Sequence, residues 1–229
     1  MSYGEGMGNN LTKVPICLCV DTSSSMDGKP IQELNRGIEL FFEELYNDEI
    51  ARYSAEVLII EFNSTAEISL PFTDVDSMSS MESNLQADGV TAMAEAVELA
   101  VSELSEKKRE YKNSGISYYQ PWLVLLSDGY PTDQNGYQSN NYKAIASRVK
   151  QLSSKREMLV IPIGIGPDAN LSILSEFSAT VPAQRLNNNN FKSFFKWLSA
   201  SVKSQSRSNQ DDNFSMDSTN LQWLVQKTG

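Results

Sequence analysis

Four short stretches, VPICLCV (residues 14–20), AEVLIIEF (55–62), PWLVLLS (121–127) and MLVIPIGI (158–165), carry apolar residues at successive positions. A strand with one wet face alternates apolar and polar residues, so these runs predict strands covered on both faces. The segments between them have helical spacing. After Pro30 come Ile31, Leu34, Ile38, Phe41, Phe42 and Leu45, and a helix over residues 92–110 aligns Met93, Ala96, Val97, Ala100, Val101 and Leu104. Further helices are expected near residues 142–152, 171–177 and 191–203, with a weak strand at 183–186. AEISL (66–70) follows Asn63-Ser64-Thr65 and reads as the return arm of a hairpin. The alternation predicts an α/β fold: a doubly wound, mostly parallel sheet with helices on both faces and one antiparallel edge strand.

The 229 residues suit one such domain with short appendages. We place an arm at 1–12, the domain at 13–203, and a polar linker with a short apolar segment at 204–229. Leu221, Trp223, Leu224 and Val225 in that segment need a surface to bury against, on the domain or on a partner. Nineteen basic and 29 acidic residues leave a net charge of −10, which argues against nucleic acid or an anionic membrane as partner. The start, MSYGEGMGNNLTK, has neither the basic opening nor the apolar run of a signal peptide, and no apolar stretch approaches the ~20 residues that span a bilayer. Cys17 and Cys19 share one strand face, about 6.5–7 Å apart, and read as reduced core residues. A cytoplasmic location is the expectation. There is no histidine, which excludes Ser-His-Asp and Cys-His catalysis and a His-ligated zinc.

Function gathers where the strands of such a sheet end. Asp21 closes the first run and opens Asp21-Thr22-Ser23-Ser24-Ser25; Asp128 follows PWLVLLS; Gly89-Val90-Thr91 immediately precedes a helix. Taken singly, Asp, Ser and Thr there are ordinary caps and turn residues. Together, Asp21, Ser23, Ser25, Thr91 and Asp128 place five oxygens on one rim with no nitrogen or sulfur. That donor set suits a hard cation, Mg²⁺ first, then Mn²⁺ or Ca²⁺. Two carboxylates balance a divalent ion and three hydroxyls add no charge, so such an ion keeps affinity for one more carboxylate, from an Asp or Glu of a protein partner. Loops 26–30 and 129–140 would border that contact, with Tyr130 and Tyr137 as candidate anchors. Asp27 and Asp133 are spare acids near the rim and read as loop and cap residues.

DTSSS, GVTAM and LLSDGYPTD resemble the metal-ion-dependent adhesion site of the von Willebrand factor A domain family, in an order and spacing that cover residues 13–203. PIGIGPDANLSILSEFS followed by NNNFKSFFKWLSASV is similar to the bacterial TerY-like branch, associated with tellurite-resistance and stress operons. The resemblance implies Ser23, Ser25 and Thr91 as hydroxyl ligands, Asp21 and Asp128 holding the ion directly or through water, and a non-enzymatic protein-binding role. It also implies partners that include kinase- or phosphatase-type proteins encoded nearby. Family members usually have glycine where this chain has Ser24, and often Gly-Gly-Thr where it has Gly89-Val90-Thr91. If position 24 requires positive φ, a serine there costs about 1 kcal/mol.

Two enzymatic readings compete. Gly164-Ile165-Gly166-Pro167-Asp168-Ala169 matches a dinucleotide-binding GxGxxA pattern after a strand, but no acidic residue follows about twenty positions on. A metal-dependent phosphohydrolase or phosphoacceptor with Asp21 as nucleophile has a suitable topology, yet its loops carry no evident general base and Ser23 stands where a second acid would help. Binding is therefore the leading expectation.

Overall fold

The computed structural model describes residues 11–128, 130–133, 135–186 and 191–208. Most of the expected arm and the apolar segment Leu221–Val225 lie outside them. Strands β1 (Val14–Asp21), β2 (Ala55–Phe62), β3 (Ala66–Asp74), β4 (Trp122–Ser127), β5 (Leu159–Ile165) and β6 (Gln184–Leu186) form one sheet in the order β3-β2-β1-β4-β5-β6. All neighbours pair in parallel except β2 and β3, which are antiparallel at the edge. This is the expected doubly wound sheet.

Strand parity divides the core into two layers. Val14, Ile16, Leu18 and Val20 of β1 face one cluster with α1 (Lys29–Tyr46) and α6 (Phe191–Ser206). Cys17 and Cys19 face the other, with α3 (Met93–Asn113), α4 (Tyr142–Ser154) and α5 (Leu171–Ser175). Both cysteines are free and fully buried, and burial raises both thiols. The continuous apolar runs thus arise because each strand has a helical layer on either side.

Two boundaries and one added turn differ from expectation for identifiable reasons. β3 continues through Pro71 to Asp74, because an edge strand tolerates the missing N–H and the β2–β3 register shifts between Val57 and Ile59 to absorb it. A single turn, α2 (Ala51–Ser54), precedes β2, started by Asp48 Oδ1 accepting from the amides of Ile50 and Ala51. The last helix runs to Ser206, three residues past the expected end, where Arg207 pairs with Asp48 and Lys203 with Glu44 of α1.

The chain passes from β1 through α1 to β2 on one side, then returns through α3 to β4 on the other side of β1. The direction of winding therefore reverses between β1 and β4. The carboxyl ends of two strands at such a switch point are where sheets of this kind bind ligands.

Candidate metal centre

Asp21 is the last residue of β1, and Asp128 directly follows β4, so the two carboxylates flank the switch point. Asp21 is fully buried. Its Oδ1 accepts from the Ser23 amide at 2.9 Å, and its Oδ2 from the Ser127 hydroxyl at 2.5 Å. Ser23 Oγ lies 3.0 Å from Ser25 Oγ, and Ser25 Oγ donates to Asp128 Oδ1 at 2.9 Å. Hydrogen bonds through Ser23, by its amide to Asp21 and by its hydroxyl to Ser25, and through Ser25 therefore connect one carboxylate to the other. Burial, and then the charge of Asp128, pushes the Asp21 carboxyl up to about 7, against the lowering effect of the Ser127 and Ser23 bonds. Burial also raises Asp128, opposed by the Ser25 hydroxyl.

Thr91 reaches the same rim from the loop before α3. Its amide donates to Thr132 Oγ1 at 2.8 Å and its carbonyl accepts from the Thr132 amide at 3.0 Å, which ties it to the loop after Asp128. Two residues earlier, the Gly89 carbonyl accepts from both the amide and the hydroxyl of Ser24, and the Asp88 amide donates to the Thr22 carbonyl. The structure thus joins the three loops that carry the five expected residues. None of the five acts as a side-chain helix cap. The turn Ser24–Met26, α1 and α3 start at Ser23, Gly28 and Ala92 without a side-chain capping bond. Thr91 Oγ1 makes no hydrogen bond among the described residues, and it is not spent on α3.

Ser24 corrects the expected strain. Its φ is not positive, so serine costs nothing there conformationally and its hydroxyl instead ties the first loop to the second. The glycine that matters is Gly89, at φ +70°, where a Cβ would stand 2.2 Å from Ser64 Oγ. Ser127 is a site neighbour that no sequence motif marks: the β1–β4 register, in which Val20 pairs with Leu126, is what sets Ser127 beside Asp21.

The residues fit a divalent ion. Among the described residues neither Asp21 nor Asp128 forms an ion pair, and a buried carboxylate without a countercharge is costly. No three His, Cys, Asp or Glu side chains converge among the described residues, so an ion here would depend on the hydroxyls as well as the two acids. Asp27 and Asp133 are used locally: Asp27 accepts from the Gly28 amide, and Asp133 Oδ1 from the amides of Asn135 and Tyr137.

The dinucleotide-like loop has the wrong polarity for a phosphate. Its Gly166, Pro167 and Ala169 carbonyls all accept from the Arg185 guanidinium. A Cβ on Gly164 would meet Leu171 Cδ2 at 2.6 Å, so that glycine serves strand–helix packing.

Comparison with known proteins agrees with this architecture. No curated protein is a significant match in sequence. Among solved structures, a von Willebrand factor type A protein from Catenulispora acidiphila is 12% identical with a TM-score of 0.60. It covers 84% of this chain and 43% of its own. The PilB minor pilin of Streptococcus sanguinis is 13% identical with a TM-score of 0.61, covering 86% of this chain and 62% of its own. Proximal thread matrix protein 1 from the mussel byssus, in a form with a zinc-occupied MIDAS motif, is 17% identical with a TM-score of 0.57. That match covers 86% of this chain and 46% of the mussel protein. The chain thus spans less than two thirds of each of these three, and at such identities the likeness is one of fold. The model of the von Willebrand factor type A domain matches residues 16–200, and the chain belongs to that family.

Proposed function

We propose that the chain is a divalent-metal-dependent protein-binding module. Ser23, Ser25 and Thr91 supply hydroxyl ligands, Asp21 and Asp128 hold the ion directly or through water, and an Asp or Glu of a protein partner completes the shell. The observation that carries this reading is the hydrogen-bonded cluster of Asp21, Ser23, Ser25 and Asp128, in which Ser23 takes part by its amide and its hydroxyl, around two carboxylates that have no cationic partner among the described residues. Mg²⁺ is the first choice for an all-oxygen set, with Mn²⁺ and Ca²⁺ next. The zinc in the mussel protein's motif supports a divalent ion at this position of the fold.

Enzymatic use of Asp21 is the second reading. A phosphoacceptor needs an exposed oxygen for in-line attack, whereas Asp21 is fully buried with both oxygens engaged. The resemblance of the 162–202 region to TerY-like sequences supports a bacterial stress or tellurite-resistance type complex as the setting, and kinase- or phosphatase-type proteins as partners. Co-purification in Mg²⁺ tests the binding role. A genuine partner is lost with EDTA, in Ser23→Ala and in Thr91→Ala, and when one particular carboxylate of the partner is replaced. A complex that survives all of these changes places the interface elsewhere.

A further inference from the structure

Beside the second half of α1 lies a hollow of about 410 Å³, lined by Phe42 and Tyr46 of the helix and by Met78 and Met81 of the segment after β3. Tyr46, Met78 and Met81 pack against the core cluster under α1, yet each is only partly buried. Methionine adapts its shape to whatever apolar group meets it. The segment that carries both methionines is held in place. The Met78 amide donates to the Val75 carbonyl at 3.0 Å, the Ser83 amide to Glu39 Oε1 at 3.2 Å, and Asn35 bonds both backbone groups of Leu85. Glu39 and Glu43 also line the hollow, and neither forms an ion pair among the described residues.

The described chain stops at the edge of this hollow. Arg207 Nη2 donates to both carboxylate oxygens of Asp48, at 2.9 and 2.8 Å, and Asp48 follows Asn47, which lines the hollow. Beyond Ser208, the twelve residues 209–220 lead to Leu221-Gln222-Trp223-Leu224-Val225. A flexible stretch of that length spans about 20 Å, and about 40 Å when extended, whereas a helix is about 10–12 Å across. Such a tether holds the apolar segment near the hollow at an effective concentration on the order of millimolar, which a free partner making the same contacts would have to match. Charge agrees as well. Residues 221–229 carry Lys227 and no acidic side chain, while Asp211, Asp212 and Asp217 all lie in the tether. Another hollow along α1, of about 390 Å³, fits worse: its lining includes the cations Arg36 and Lys192 and, apart from Leu40, no large apolar side chain among the described residues. Lys192 also stands at the far end of α6 from Ser208.

We propose that the chain folds back over the end of α1, so that Leu221–Val225 seats Trp223 in the hollow against Met78 and Met81, with Lys227 facing Glu39 and Glu43. The fold-back takes the segment's apolar side chains out of water and covers the partly buried methionines and tyrosine, so both surfaces gain from one contact. It needs no metal.

The test is methyl NMR of the full chain labelled at methionine, with the two signals assigned by Met78→Leu and Met81→Leu. The indole ring should shift both signals in the native chain, and Trp223→Leu should move them back. Met26 and Met93, fully buried in the two core layers, should stay unmoved and report that each variant is folded. Glu43→Lys should move the Met78 and Met81 signals as Trp223→Leu does, and adding Lys227→Glu should restore them. Signals that ignore Trp223→Leu would overturn the proposal. So would a response that vanishes on dilution, which would seat the segment on a second copy, or a charge swap that restores nothing.

Discussion

Asp21 is held between two demands. Burial and the neighbouring Asp128 favour its protonated form, with the carboxyl at about 7 against an ordinary 3.8, while a cation requires it ionised. A raised folded-state value means that the folded chain holds this proton longer than the unfolded chain does. The stability this contributes is fully present below about pH 3.8 and is lost as pH rises to about 7. The increment from Mg²⁺ should grow over the same window. Melting curves from pH 4 to 8, with and without Mg²⁺, should therefore diverge as pH rises, and Asp21→Asn should remove the divergence. Parallel curves would contradict the assignment. Ser24 gives a second prediction. Ser24→Gly removes the hydroxyl bond to the Gly89 carbonyl, so stability should fall by about 0.5–1.5 kcal/mol, with the Mg²⁺ increment retained in a thermal-shift assay. That Asp21, Ser23 and Ser25 lie together was legible in the sequence because they share one short loop. Ser127 was not, because its role depends on which strand lies beside β1.

Among the elements, α1 links the site to the rest of the fold. It leaves the first loop at Gly28, whose φ of +79° lets the chain turn into the helix, and it packs along α6. Gly37 permits that packing: a Cβ there would lie 2.3 Å from the Phe195 ring. Gly37→Ala should therefore destabilise the chain by about 1–3 kcal/mol through overpacking, measured by urea unfolding, while the Mg²⁺ increment persists. A neutral result would show that α6 shifts freely on α1. Asn35 of α1 also clamps the segment before Gly89, with Nδ2 donating to the Leu85 carbonyl and Oδ1 accepting from the Leu85 amide and the Ser83 hydroxyl. The existence and order of the elements were legible from period and parity. The length of β3 was not, since Pro71 is a strand breaker in the interior of a sheet and harmless at its edge, and only the pairing decides which applies. Asn35 was equally opaque, because its partners lie about fifty residues away.

At the scale of the molecule, one sheet order explains why distant sequence motifs meet. With β1 beside both β2 and β4, residues 21–25, residues 89–91, Asp128 and Thr132 converge at one end, with the helical layers packed on the sheet behind them. The chain has no histidine, and Asp21 is fully buried with both oxygens hydrogen-bonded, so the chain should show no Mg²⁺-dependent turnover of generic phosphoesters. Turnover abolished by Asp21→Asn would reverse that conclusion. The central claim is that folded loops from three parts of the chain make one divalent-ion site, and its most direct measurement is titration calorimetry of Mg²⁺ and Mn²⁺ into the native chain and into Asp21→Asn. The account predicts a single site in the native chain, lost in the variant, with a matching rise in melting temperature that only the native chain shows. No binding of either ion to the native chain, or equal binding to both proteins, would contradict it.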